Sequence, residues 1–145
     1  MKLKVLFAII ISSLFSCSTL NTVLNEKDQG KGTRIVYNIQ FEDAWRVSKS
    51  SFRWAGSDAI EEHKKDGYML TSKGKDMITS GSVMGAWIDS ISSDEMAVTV
   101  ISKRRNSLDL FTGMTEKKYH KYFKTGMEIL NNGGELPLVA PDIIE

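Results

Sequence analysis

The stretch Glu95 to Lys103, EMAVTVISK, is apolar on both of its alternating faces, with Met96, Val98 and Val100 on one and Ala97, Thr99 and Ile101 on the other. Successive side chains of a strand point to opposite sides of a sheet, so a strand without a polar face belongs in the interior of a sheet and not at its rim. The chain must therefore be organised around a sheet. The run before it, SVMGAWIDSI, reads as its antiparallel neighbour, joined across Ser92 to Asp94. A second pair flanks Asp66-Gly67 in AIEEHKKDGYMLTSK, where the Asp-Gly dipeptide signals a hairpin turn.

Two segments have helical periodicity instead. In FEDAWRVSKSSFRWAG, the residues Phe41, Ala44, Trp45, Ser48, Phe52 and Ala55 recur at spacings of three and four, which gathers them on one helix face, and Gly56 ends the run. That stripe is core for packing against the sheet, in preference to a cofactor-binding box. From Thr115, a natural N-cap, Tyr119, Phe123, Met127 and Leu130 form an inner face reinforced by Tyr122 and Ile129, with Gly133 at the C-terminal end. With TRIVYNI as a first strand, alternating through Ile35, Tyr37 and Ile39, the order is β-α-β-β-β-β-α. The expected fold is α+β: an antiparallel sheet of about five strands with two helices packed on one face.

The N-terminus has the anatomy of an export signal. Lys2 and Lys4 precede an apolar run from Val5 to Ile11 and a small-residue segment from Ser12 to Ser16, and the chain's single cysteine, Cys17, follows directly. The apolar run is well short of the ~18 residues a membrane-spanning helix needs. Leu14-Phe15-Ser16-Cys17 resembles the lipobox of bacterial lipoproteins, which implies that Cys17 receives a diacylglycerol and becomes the mature N-terminus. Phe15 is bulkier than that motif usually carries. The alternative is a free thiol behind an ordinary cleaved signal, which leaves the position of Cys17 unexplained. Ser18, after the cysteine, resembles lipoproteins released to an outer membrane where one exists, so the expected location is an outer membrane, facing the periplasm.

Loss of residues 1–16 leaves 17 basic and 18 acidic side chains, a net charge of −1, and no footprint for nucleic acid. With Cys17 used, disulfides and cysteine-type zinc sites are excluded. The expected organisation is a signal peptide over residues 1–16, a lipidated N-terminus and flexible polar tether over 17–32, one α+β domain over 33–134, and a tail over 135–145. The helix FEDAWRVSKSSFRWAG followed by HKKDGYMLTSKG resembles small bacterial envelope lipoproteins of uncharacterised function. It is also similar to the domains of the C subunit of the outer-membrane barrel-assembly machinery, over roughly residues 33–132. The resemblance rests on Trp45, Gly56, Asp66 and Gly67, and it implies a helix-grip-like fold and a non-catalytic scaffolding role. It carries over no active-site residue.

The residues themselves give little chemistry. His63 and His120 stand outside any H-x-x-x-H spacing, Ser80-Gly81-Ser82 lacks the surrounding elbow of a serine hydrolase, and Gly81 and Gly85 make no phosphate loop. The adjacent carboxylates Glu61-Glu62 point to opposite faces if they lie on a strand. No catalytic residue, metal or cofactor is expected, and an envelope hydrolase is the alternative to a binding module. Two surfaces are candidates for partner binding. Lys117, Lys121 and Lys124 fall at i, i+4 and i+7 on the last helix with Lys118 beside them, a face suited to an acidic envelope protein, an anionic polymer or lipid headgroups, or else simply the solvated back of an amphipathic helix. The other comprises Trp54, off the stripe of its helix, and the segment DMITSGSVMGAW, in which Met77, Ile78, Met84 and Trp87 flank a loop.

Overall fold

The computed structural model describes residues 19–57, 59–74, 81–105 and 115–143. The elements are α1 (Leu20–Asp28), β1 (Thr33–Asn38), α2 (Phe41–Trp54), β2 (Ala59–His63), a 3-10 turn at Lys64–Asp66, β3 (Tyr68–Lys73), β4 (Ser82–Ser90), β5 (Glu95–Arg104) and α3 (Glu116–Asn131). The strands form one antiparallel sheet in the order β1-β5-β4-β3-β2, so the fold is α+β with five antiparallel strands, as the periodicities require. The two-faced apolar strand β5 is interior, between β1 and β4. The hairpin at Asp66-Gly67 closes through the 3-10 turn, with Gly67 in the left-handed region at φ +73°.

Helices α2 and α3 pack together on one face. Trp45, Phe52, Trp54, Tyr119 and Phe123 join Met69, Met84, Ala86, Ile88, Met96, Val98 and Val100 in the main core. Both expected caps of α3 are present: Thr115 Oγ1 accepts from the Lys118 N–H at 3.1 Å, and Gly133, at φ +74°, follows the last turn. Inside this core the Ser48 hydroxyl meets the Tyr119 hydroxyl, which gives the fully buried phenol a partner and ties α2 to α3.

The sheet's second face differs from expectation. Residues 20–28, assigned to a flexible tether, form α1, and Val23 is fully buried against Leu70, Val83, Trp87 and Ile101. The physical reason lies in the sheet: β4 and β5 are apolar on both sides, and a helix on one face only would leave Val83, Trp87 and Ile101 in water. Gly85 makes the close approach possible, because a Cβ there would stand 2.6 Å from the Trp87 ring and 2.8 Å from Val23. Lys27 braces the far end of α1, with Nζ 5.6 Å from the Trp87 ring centre and 3.4 Å from Asp89. The three helices are therefore split two and one across the sheet. The C-terminal residues also dock: Leu136 and Ile143 pack against the main core, and the Trp54 Nε1–H donates to the Pro137 carbonyl at 3.0 Å.

Candidate functional site

Helix α3 lies along the rim strand β1, and the seam between them is built from both. Tyr119, Tyr122, Phe123 and Gly126 turn inward, which leaves Lys117, Lys121 and Lys124 along the flank nearest β1. From β1, alternation sends Thr33, Ile35 and Tyr37 toward the same seam. Together with His120 these residues line a groove of about 390 Å³. Its floor is Ile35, 38 % exposed, and the Tyr37 ring, which packs 4.5 Å from Phe123. Its α3 wall is cationic, and Lys117, Lys121 and Lys124 form no ion pair among the described residues.

His120 closes the bottom of this seam. Its Nε2–H donates to the Thr33 carbonyl at 3.1 Å, and its Nδ1 accepts from the Tyr37 hydroxyl at 2.8 Å, an arrangement that requires the neutral ring. Burial holds the imidazole below its ordinary value of 6.5, against the opposing pulls of the Thr33 carbonyl and the Glu116 carboxylate. Burial likewise raises the Tyr37 phenol, so it stays protonated and available to donate. Glu116 fixes the same end of the seam, accepting from the Thr33 hydroxyl and from the Ser102 N–H. His120, Tyr37 and Glu116 thus position β1 against α3, and the lysines line the groove beside them.

Across α3 from this groove, Lys121 and Lys124 also border a depression of about 410 Å³ with Thr125, Glu128, Asp142 and Ile143. That depression carries its own carboxylates. The β1 groove carries cations over an apolar floor and is the better match to an anionic ligand with an apolar backbone or side chains.

Of the residues singled out by sequence, the structure brings Lys117, Lys121 and Lys124 together at the groove, while Lys118 turns toward Tyr122, 5.9 Å from its ring centre. The second surface is corrected. Trp54 is 4 % exposed beneath Pro137 and beside Tyr122, Met84 is fully buried in the main core, and Trp87 is 7 % exposed beneath α1. Strand alternation places Met84 and Trp87 on opposite faces of β4, each against a helix, so they cannot form one rim. Cys17, Met77 and Ile78 lie outside the described residues. Sequence reasoning missed Ile35, Tyr37 and His120 as parts of a site; their only signal was a shared strand face and a histidine three residues from Lys117.

Among the described residues no cluster of His, Cys, Asp or Glu is arranged to hold a metal ion, and no helix is long and apolar enough to cross a membrane. No protein-family model matches this chain, and none of the curated proteins matches it.

Proposed function

We propose that this protein is an envelope lipoprotein of the small bacterial kind it resembles, anchored through Cys17 and acting as a non-catalytic module that binds an acidic partner in the β1–α3 groove. The observation that carries the reading is the row of Lys117, Lys121 and Lys124, none in an ion pair among the described residues, beside the apolar floor of Ile35 and Tyr37. An exposed lysine usually costs nothing to leave unpaired, but three on one flank raise the local potential and attract acidic groups from solution. The position of Cys17, directly after an apolar run and Ser16, supports the anchor. In this reading the anchor faces the periplasm from an outer membrane.

The folding of α1 sharpens what such an anchor implies. Only Ser18 and Thr19 separate Cys17 from Leu20, a reach of ~10 Å over three steps at 3.3–3.6 Å per residue, so the lipid would hold the α1 face near the bilayer. Helix α3 lies on the opposite face, about two packed layers or ~20 Å away. That exceeds the ~8 Å screening length of physiological salt, which favours a partner in the periplasmic space over the headgroups of the anchoring leaflet.

Two measurements test the proposal. Membrane fractionation and mass analysis of the N-terminal peptide should find acylated Cys17, and Cys17→Ser should release the protein; a soluble wild type without acyl mass contradicts the anchor. Changing Lys117, Lys121 and Lys124 to Gln should abolish salt-sensitive binding to soluble polyglutamate while leaving the melting temperature nearly unchanged. Unaltered binding would remove the groove from the account.

A further inference from the structure

We propose that the free rim of β1 accepts an extended acidic segment of a partner protein as a sixth strand, with the partner's carboxylates under the lysines of α3. The proposal rests on the reading of the β1–α3 groove as the binding surface and adds the backbone to it.

The orientation of the peptide groups follows from the register. Glu95 O accepts from Ile91 N, and Arg105 N donates to Gly81 O, so the odd-numbered residues of β5 turn their peptide groups to the β4 side. The even-numbered residues Met96, Val98 and Val100 turn theirs toward β1, where they face Tyr37, Ile35 and Thr33. Alternation then directs the N–H and C=O of Arg34 and Val36 away from the sheet. Among the described residues nothing bonds to those groups.

An open rim is a hazard that proteins usually blunt with charge, proline or a cover. The opposite rim, β2, is blunted: Glu61, Glu62 and His63 engage one another or Lys49. Strand β1 has no proline, keeps an unbroken register from Thr33 to Asn38, and leaves Ile35 and Val36 38 % and 45 % exposed. This is the geometry of strand addition, in which main-chain bonds give affinity and alternate side chains give specificity.

Charge selects the occupant. Strand β1 and helix α3 run side by side in the same direction, Thr33 against Glu116 and His120, Tyr37 against His120 and Phe123. On an added strand, every second side chain would project to the α3 side at intervals of ~6.7 Å. Lys117 and Lys121 are offset by ~6 Å along the helix axis, which matches that interval. Carboxylates at alternate positions would therefore meet successive lysines above Ile35 and Tyr37. A second copy of this chain fits worse, because antiparallel pairing of β1 with β1 would set two lysine rows against each other.

The test uses the full-length protein in zwitterionic detergent and a ten-residue peptide alternating Glu with Thr. The peptide should bind the wild type, and hydrogen exchange at the Arg34 and Val36 amides should slow at least tenfold on binding. A peptide of the same sequence, N-methylated on the amides of one edge and then of the other, should lose at least tenfold in affinity for one of the two. Val36→Pro, which removes an N–H that bonds to nothing among the described residues, should weaken binding similarly with little change in melting temperature. Equal binding by both methylated peptides, or unchanged exchange at Arg34 and Val36, overturns strand addition even if the Gln variants show that the lysines still attract polyglutamate. Should Val36→Pro unfold, the methylated peptides and the exchange rates on the wild type decide. Binding of anionic vesicles in place of the peptide would also overturn it.

Discussion

Truncating Val23 to Ala tests whether α1 belongs to the folded domain. Val23 is fully buried between Leu70, Val83, Trp87 and Ile101, and its Cγ1 stands where a side chain on Gly85 would fall. Removing two methyl groups forfeits about 1.6 kcal/mol at ~0.8 kcal/mol each. The unfilled space adds up to about 1 kcal/mol if the helix cannot settle inward, and Gly85 leaves no side chain to fill it. Alanine's better helix propensity returns about 0.5 kcal/mol. The expected loss is about 1–2 kcal/mol, read from urea unfolding followed by far-ultraviolet dichroism. A second readout is specific to the site: Val23→Asp should detach α1 and open Trp87 to acrylamide quenching, while Trp45 and Trp54 on the other face stay protected. A loss under about 0.5 kcal/mol for Val23→Ala, with quenching unchanged in Val23→Asp, would refute the docking of α1 and restore the tether.

Trp45, 5 % exposed with its Nε1–H on Glu62 at 2.9 Å, should cost about 3–5 kcal/mol when truncated to Ala, and an unfolding free energy within about 1 kcal/mol of wild type would contradict its place in the core. His120 predicts a pH dependence. Its folded value lies below 6.5, so the unfolded chain binds a proton that the folded one refuses; its contribution to stability is complete above 6.5 and falls away as the pH drops through the folded value. Urea midpoints should decline from pH 7.5 toward pH 5 more steeply in the wild type than in His120→Gln, and parallel declines would count against the buried neutral imidazole.

Where the sequence was legible, local rules and the fold agreed. The stripe from Phe41 to Ala55, the Thr115 cap, the Gly133 stop and the two hairpins each rest on residues within a turn or two of one another, and all are present. Helix α1 escaped because LNTVLNEKD has only Leu20, Val23 and Leu24 to mark a face, too little apolar surface to distinguish a short helix from a linker. The clue lay in β5, whose second apolar face had no cover in a fold with both helices on one side. Helical spacing sets Trp54 apart from the stripe and suggests a surface contact, but Tyr122 of α3 and the docking of Leu136 and Pro137 bury it, the last an event 83 residues distant. The same separation joins Tyr37 to His120, so the lysine row was visible as helical spacing while the strand that completes the groove was not.

The most direct test is a photo-crosslinker placed at Ile35 in the full-length protein in intact cells, compared with the same protein carrying Gln at Lys117, Lys121 and Lys124. Ile35 lies on the floor between the lysines and the free rim, with enough exposure to accept the probe. The account predicts an adduct with an envelope protein, joined through an acidic extended segment, that forms beside wild-type lysines and disappears with the three glutamines. An adduct unaffected by the glutamines, or none at Ile35 while a probe at exposed Ile91 captures a partner, would contradict the groove as the working surface of this protein.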